Sequence, residues 1–452
     1  MSSSTPKVHV VVLPFPFGGH ALVLFNLIQK LATKAPSVHF SFINTRESNC
    51  SLCHTGSHAL SLLPNIRVYD AGVGKSPEHF LESAKTSYES AIRLTERESS
   101  LKVSCLLTDV FMLFAWEIAR DMNVDWIPFW TSASYALASF LYEDIISDIS
   151  RENKSKPDRR IQLTAVLGLS AMYLEDLPNE DLLAHDDSLM SAMFRSIRDV
   201  VPRATVLLLN SFEEMSPEDL VRAWKSKFKH LLHIGCQTVS FQQPSTGVEP
   251  EDETGCLSWL NEQEPKTVAY ISFGTIASIS AEDISAVAAA LEETGTPFLW
   301  SLKEQFCAHF PPGFQERTSR QGKVVSWAPQ NLVLGHTACG VFVTHCGYNS
   351  VFESIAAEVP MLCRPLMADH MMNGRMVEDV WRIGMKVDQV NGRITAEGMA
   401  KCLRMVLGGG EEGRMMRERI SVLREKLAAA SAEEGSTDKD LRSLVEIITS
   451  YD

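Results

Sequence analysis

The sequence predicts an α/β protein with two doubly wound domains, each a parallel sheet with helices on both faces. Short apolar runs alternate with helical patterns in two separate series, and a polar, aperiodic stretch divides them. The length of 452 residues also exceeds what one hydrophobic core ordinarily serves. Apolar runs separated by helices are typical of parallel strands that are buried on both faces.

The N-terminal half carries the first series of predicted strands. They begin with VHVVVLPF and end with LLHIG, at residues 8–15, 38–45, 66–72, 103–111, 126–130, 204–211 and 231–235. An amphipathic pattern predicts a helix directly after His20, and a polar helix is expected at 77–99. His20 is therefore an ionisable residue at the point where a buried strand gives way to a helix.

Residues 236–255 lack periodicity and are rich in Gln, Pro, Ser, Gly and acidic residues, which indicates a linker. Beyond it, strands are predicted at 267–274, 297–302, 323–327, 339–345 and 360–365, with helices at 281–295 and 349–358 and a polar helical end. We therefore expect an N-terminal domain over 1–237, a linker over 238–255, a C-terminal domain over 256–435 and a terminal helix over 436–452. A ligand site is expected in the cleft between the domains.

Composition and charge exclude several classes of protein. A net charge of −14 argues against nucleic-acid binding, which requires a basic surface. No apolar run is long enough to span a bilayer, and the opening MSSSTPK has no apolar core, so we expect neither a membrane span nor a secretory signal. The ten scattered cysteines favour reduced thiols and a cytoplasmic protein.

The most informative segment is WAPQNLVLGHTACGVFVTHCGYNSVFESIAAEVPMLCRPLMADH, residues 327–370. Within it a strand ends at His345, a tight turn follows, and a helix opens near Asn349 and Ser350. A strand, a glycine-containing turn and a helix N-terminus direct backbone N–H groups at an anion, so this junction suits a diphosphate. Capping of the helix is the structural alternative for the two polar side chains.

Two further residues of this segment suit a nucleoside. Glu353 follows one helical turn later, and a carboxylate can accept two hydrogen bonds from a ribose diol. Trp327 offers a flat face for a base, with Gln330 nearby on the loop, although a tryptophan also fills cores.

The segment resembles the signature box of plant secondary-product UDP-sugar glycosyltransferases over its full length. The stretches FPF near the start, CLSWL, and YISFGT at the opening of the second domain extend the resemblance to flavonoid 3-O-glycosyltransferases. The resemblance implies a GT-B fold, with two facing Rossmann-like domains and a C-terminal helix that returns to the first. It also implies inverting transfer with a UDP-sugar as co-substrate and with no metal or other cofactor.

Position by position, the resemblance implies contacts with the donor. Contacts with uridine diphosphate are expected from Thr275, Trp327, Ala328, Gln330, His345, Asn349, Ser350 and Glu353. Contacts with the sugar are expected from Thr131, Tyr348, Asp369 and His370. In this assignment Trp327 stacks on uracil, and Gln330 and Glu353 hold the ribose.

The resemblance also pairs His20 with Asp109, which ends the run LLTD. Inverting transfer needs a base for the proton of the acceptor, and a histidine with an ordinary pKa near 6.5 suits that task. A carboxylate partner orients such a base, as in a Ser-His-Asp triad. We therefore predict His20 as general base and Asp109 as its partner.

Departures from the family pattern bear on the substrates. The segment ends in His370, where the family's Gln is associated with UDP-glucose and His with UDP-galactose, so galactose is favoured and glucose is the alternative. Tyr348 replaces the family's tryptophan near the sugar. The acceptor pocket is expected to include Gly18, Gly19, Phe17, Phe111 and Met367.

The sequence thus predicts a monomeric enzyme that transfers galactose from UDP-galactose to the 3-hydroxyl of a flavonol or related flavonoid. UDP-glucose:flavonoid 3-O-glucosyltransferase is the nearest alternative. A nucleotide-sugar epimerase or hydrolase, which needs no acceptor, and a non-catalytic UDP-sugar binder are more remote ones.

Overall fold

A computed structural model describes residues 7–55, 63–72, 77–153, 160–178, 189–241, 252–274, 279–390 and 392–451. The chain divides into two compact units: one comprises Met1–Glu175, Asn179–Thr238 and Ala429–Asp452, and the other Asp176–Pro178 and Val239–Ala428. The boundaries proposed from the sequence, 1–237, 238–255, 256–435 and 436–452, stay predictions.

The N-terminal unit is built on a parallel sheet of seven strands, in the order β3-β2-β1-β4-β5-β6-β7. The strands are β1 Val8–Leu13, β2 Val38–Thr45, β3 Ile66–Ala71, β4 Cys105–Asp109, β5 Asp125–Trp130, β6 Val206–Leu209 and β7 His230–His233. All six residues of β1 and all eight of β2 are buried, as the apolar runs require. The strand order reverses between β1 and β4, and ligands of open α/β sheets bind at such a switch point.

Helices connect these strands. They are α1 His20–Lys34, α2 Arg46–Thr55, α3 Pro77–Ser99, α4 Phe114–Met122, α5 Ser134–Leu141, α6 Glu143–Glu152, α7 Leu189–Val200 and α8 Glu218–Lys227. The amphipathic α1 packs its apolar face into the core of this unit, which Leu441, Leu444 and Ile448 near the C-terminus also join.

The C-terminal unit has a second parallel sheet, of six strands in the order β10-β9-β8-β11-β12-β13. These strands are β8 Val268–Ser272, β9 Phe298–Ser301, β10 Gly322–Val325, β11 Cys339–Thr344, β12 Met361–Cys363 and β13 Gly384–Lys386, and a small hairpin pairs β14 Gln389–Val390 with β15 Arg393–Ile394. Strands β13 to β15 were not predicted from the sequence, because each is at most three residues long and carries little periodicity.

Further helices complete the chain. They are α9 Cys256–Leu260, α10 Ala281–Thr294, α11 Phe314–Arg317, α12 Gln330–Leu334, α13 Tyr348–Ala356, α14 His370–Arg375, α15 Ala396–Leu407, α16 Glu411–Ser431 and α17 Ser436–Thr449. A separate hydrophobic core forms between β8, β9 and β11 and helices α10 and α15. Within the described ranges, every helix is too short or too polar to cross a membrane.

Candidate active site

His20 lies at the carboxyl end of β1 because the chain turns there into α1. Gly18 adopts a left-handed conformation with φ of +66°, which glycine reaches without steric cost. Gly19 precedes the helix, and its carbonyl accepts the first helical hydrogen bond, from Val23. His20 is therefore the first residue of α1, and about a quarter (26%) of its side chain is exposed.

Asp109 meets His20 across 89 residues of sequence because β1 and β4 are neighbours in the sheet. Asp109 ends β4, and its Oδ2 lies 2.7 Å from Nδ1 of His20. The other carboxylate oxygen, Oδ1, accepts a hydrogen bond from the backbone N–H of Phe111 at 2.9 Å. With 1% of its surface exposed, Asp109 is a buried carboxylate held at both oxygens.

Thr131 contributes a hydroxyl to the same histidine nitrogen. It follows β5, the next strand in the sheet, and its Oγ1 lies 2.9 Å from Nδ1 of His20. The buried amide of Asn210 donates to the Thr131 carbonyl at 2.9 Å and holds this loop. The sequence predicted that Thr131 contacts the sugar. Its position beside His20 follows from the order of the strands in the sheet, which the sequence did not predict.

These contacts determine the tautomer of a neutral His20. An ionised carboxylate can only accept hydrogen bonds, so Nδ1 must carry the proton that faces Asp109. The lone pair is then on Nε2, which is the atom able to accept a proton. The arrangement can therefore act as an oriented general base.

Aromatic side chains surround this histidine. The rings of Phe15 and Phe111 lie 5.4 Å and 5.3 Å from the His20 ring, and Phe17 packs edge-on against Phe15 at 5.2 Å. Phe111 also contacts Phe194 at 5.7 Å. Phe17 and Phe111 are half-buried and Gly18 and Gly19 are exposed, so the four predicted acceptor residues of this unit lie close to His20 in sequence or in space.

A second group of polar residues lies at the switch point of the other sheet, between β8 and β11. His345 follows β11, and its ring is packed against two glycines: a Cβ on Gly274 would lie 2.7 Å from Nε2, and one on Gly347 2.5 Å. Burial and the neighbouring His370 lower the pKa of His345 to about 3. His345 is thus neutral at physiological pH, so it can donate one hydrogen bond but carries no charge.

Helix α13 begins directly after this histidine, at Tyr348. Its first turn contains Asn349 and Ser350, both half-buried, and its N-cap residue, Gly347, has no side chain with which to cap it. The amides of a first helical turn lack helical acceptors and favour an anion. Tyr348 is buried against Phe352, with ring centroids 4.8 Å apart.

A hydrogen-bond network joins Gln330, the first residue of α12, to α13. The amide nitrogen of Gln330 donates to Oε2 of Glu353 at 2.6 Å and to Oγ of Ser350 at 3.0 Å. Its amide oxygen accepts from the hydroxyl of Tyr270 at 3.2 Å. The Ala328 side chain, two residues before Gln330, is buried. Trp327 is 44% exposed, which leaves an indole surface for a planar partner.

Asp369 and His370 follow β12 at the start of α14. Asn373, fully buried, donates to Oδ2 of Asp369 at 3.2 Å and to the Cys346 carbonyl at 2.9 Å, so it ties the two loops together. Burial lowers the pKa of His370 to about 4. Its Nδ1 accepts from the backbone N–H of Met367 at 3.3 Å, so the neutral ring carries its proton on Nε2.

Most residues predicted for the site are thus gathered at the switch points of two sheets. Thr275 lies outside the described residues. Sequence reasoning missed Tyr270, Asn373, Gly274 and Gly347. Tyr270 sits in an apolar run where it resembles a core residue, and Asn373 carries no motif of its own, whereas the glycines of SFGT and HCGY were visible as turn signals.

Comparison with known proteins identifies the chemistry. The family model described as "UDP-glucoronosyl and UDP-glucosyl transferase" matches residues 212–422. A flavonol 3-O-glucosyltransferase from Actinidia chinensis var. chinensis is 38% identical over 99% of this chain and 98% of its own length. The chain belongs to the UDP-glycosyltransferase family. The resemblance stated from the motifs is therefore confirmed.

Other relatives of this UDP-glycosyltransferase differ in the sugar they are named for. An anthocyanidin 3-O-galactosyltransferase from the same Actinidia is 37% identical over 100% of this chain and 99% of its own. The crystal structure of a UDP-glucose:anthocyanidin 3-O-glucosyltransferase in complex with UDP is 36% identical, with a TM-score of 0.89 over 99% of this chain and 100% of that chain. The GT-B fold and the assignment as a transferase are confirmed.

Proposed function

We propose that this enzyme transfers galactose from UDP-galactose to the 3-hydroxyl of a flavonol or related flavonoid, with inversion at the anomeric carbon. The observation that carries the proposal is the 2.7 Å contact between His20 and the buried Asp109, in a chain of this family. Relatives named for flavonol and anthocyanidin 3-O-transfer, at 37–38% identity over nearly the whole chain, support the acceptor class. UDP-glucose is the alternative donor.

In the proposed reaction His20 removes the acceptor proton. The hydroxyl oxygen attacks C1 of the sugar from the face opposite UDP, while Nε2 takes its proton. The bond between C1 and the diphosphate oxygen breaks, and UDP leaves with the electron pair. A flavonol hydroxyl is acidic enough for a histidine base, and the aromatic rings beside His20 suit a flat acceptor.

The donor site must hold a diphosphate in a protein whose net charge is −14. The proposed ligands meet this demand locally, with the N-terminus of α13, the side chains of Asn349 and Ser350, and one N–H from neutral His345. These contributions are all hydrogen bonds from neutral groups. That no metal is required stays a prediction.

The preference for galactose rests on His370. Its Nε2–H can only donate, because Nδ1 is engaged by the Met367 backbone, whereas a glutamine offers both a donor and an acceptor. Glucose and galactose differ only in the orientation of the 4-hydroxyl, so exchanging an amide for an imidazole changes the partner of one sugar hydroxyl.

The decisive experiment assays the purified enzyme with both donors and a flavonol, with product regiochemistry determined by NMR. We expect a 3-O-galactoside as main product and a slower 3-O-glucoside. His20→Ala should lower kcat by roughly 10²–10⁴-fold while UDP affinity, measured by calorimetry, is unchanged. Sugar release without acceptor would instead favour a hydrolase, and unaltered transfer by His20→Ala would refute the base.

The donor preference has its own test. His370→Gln restores the amide of the family's glucose-associated form, so we expect the ratio of kcat/KM for UDP-galactose over UDP-glucose to fall by about tenfold. His336→Gln is a matched control on the same unit, since its Nε2 contacts Asn261 at 3.1 Å, outside the proposed site. An unchanged ratio in His370→Gln means that His370 does not select the donor.

A further inference from the structure

We infer that Tyr270 is a positioning residue for the ribose of the donor, acting through the amide of Gln330. This inference rests on the proposed donor site, in which Gln330 and Glu353 hold the ribose. Tyr270 lies in β8, 1% exposed, and its ring stacks on Phe342 with centroids 5.0 Å apart. Its hydroxyl is thus held at a fixed point within hydrogen-bond distance of Gln330, the first residue of α12.

The hydroxyl of Tyr270 anchors the Gln330 amide in the orientation that the Glu353 carboxylate requires. An amide can rotate by 180° and exchange its oxygen for its nitrogen. In the observed orientation the oxygen accepts from Tyr270, and the nitrogen donates to Glu353 and Ser350. The flipped amide would direct its oxygen at the Glu353 carboxylate, which can only accept, so the carboxylate excludes the flip and the Tyr270 hydroxyl anchors the amide oxygen in the orientation that remains.

Without the Tyr270 hydroxyl, the oxygen of the amide loses a buried donor, and one of the three hydrogen bonds that hold the amide is gone. The charge-assisted bond from Gln330 to Glu353, at 2.6 Å, then depends on the carboxylate alone. Because a ribose diol needs the carboxylate oxygens in one orientation, loosening this pair should weaken recognition of the ribose hydroxyls specifically. Contacts with the base and the diphosphate should be unaffected.

The test measures the binding of UDP, 2′-deoxy-UDP and 3′-deoxy-UDP by calorimetry. Tyr270→Phe keeps the stacked ring, and we expect it to raise the Kd of UDP about three- to tenfold. The Kd of the deoxy analogue that lacks the contacted hydroxyl should stay at its wild-type value. Tyr88→Phe is the matched control, since Tyr88 is also fully buried and the described residues offer its hydroxyl no hydrogen-bond partner.

Equal weakening of UDP and both deoxy analogues in Tyr270→Phe, or no weakening, overturns the inference. Gln330→Leu, at the half-buried first position of α12, removes the proposed intermediary itself. Gln330→Leu should raise the Kd of UDP but not the Kd of the deoxy analogue that lacks the contacted hydroxyl. Adding Tyr270→Phe to Gln330→Leu should not raise the Kd of UDP further. If the wild-type enzyme binds UDP and both analogues equally, the proposed ribose site is wrong and the inference falls with it. If the wild-type enzyme binds UDP more tightly than a deoxy analogue and Tyr270→Phe keeps that difference in Kd, the role of Tyr270 is refuted and the proposed ribose site is unaffected.

Discussion

At the scale of the residue, two oxygen atoms in contact with Nδ1 determine the state of His20. Asp109 and Thr131 both contact Nδ1, and the Asp109 carboxylate is in turn held by the Phe111 backbone. The proton is thereby kept on the nitrogen that faces the protein, and the basic nitrogen is the other one. A histidine at the start of a helix without such contacts can hold its proton on either ring nitrogen.

Asp109→Asn tests this orientation. The amide oxygen of the variant should keep the hydrogen bond from Phe111, which leaves an N–H₂ group facing His20 Nδ1. His20 must then accept at Nδ1 and carry its proton on Nε2, where it cannot act as a base. We expect kcat to fall roughly 10²–10⁴-fold, as loss of a correct tautomer does in hydrolytic triads, with little change in UDP affinity. Steady-state kinetics and calorimetry measure the two effects, and a kcat near the wild-type value contradicts the tautomer assignment.

At the scale of the element, the junction of β11 and α13 places a neutral histidine against a helix N-terminus. The approach is possible only because Gly274 and Gly347 lack side chains where the His345 ring packs. His370 completes the arrangement, with its ring edge-on to His345 at 4.7 Å between centroids. The side chains at this junction are therefore closely packed, and a single methyl group added at either glycine should displace the His345 ring.

Gly347→Ala is the corresponding prediction. Gly347 has φ of −58°, which alanine tolerates, and the nearest obstacle is the His345 ring, 2.5 Å from the new Cβ. Overpacking of this kind costs about 1–3 kcal/mol, and we expect UDP affinity to fall about tenfold or more. In a His345→Ala background the same change should have little effect, because the clash is gone. Calorimetry on the four proteins measures the coupling, and additive losses would show that the ring is not what the methyl group displaces.

At the scale of the whole molecule, each unit has its own parallel sheet, its own core and a polar group at its own switch point. Both units also hold histidines in neutral form, of which His9 and His233 are fully buried and His345 and His370 half-buried. Burial lowers the pKa of His9 and His233 in one unit and of His345 and His370 in the other, to about 4, 4, 3 and 4. In the unfolded chain these groups would titrate near their ordinary value of about 6.5.

Stability should therefore fall in mild acid. A histidine whose pKa is lowered by folding stabilises the folded state above about pH 6.5, and that stability is lost as the pH falls toward 4. At pH 5 the loss is roughly 2 kcal/mol for each fully buried histidine. We expect the thermal midpoint to drop between about pH 7.5 and pH 5 at constant ionic strength, and His9→Gln to reduce that drop. Equal midpoints at both pH values would contradict the neutral state of these histidines.

The sequence by itself determined the element types, the fold class and most of the donor segment. Continuous apolar runs and helical periodicity are local, and the segment from Trp327 to His370 carries its strand, turn and helix signals in consecutive residues. Features of the structure that lack such a local signal were not predicted. Strands of three residues or fewer, such as β13, hold too few residues for a period, and Tyr270 in an apolar strand looks like any core residue.

Only the tertiary structure decided which of these residues touch. His20, Asp109 and Thr131 each end or follow a strand, but they meet because β1, β4 and β5 are consecutive in the sheet, an order that no local pattern specifies. The same holds for Tyr270 and Gln330, 60 residues apart. Periodicity indicates on which face of its own helix or strand a residue lies. Contacts between distant residues depend instead on strand order and on packing between elements.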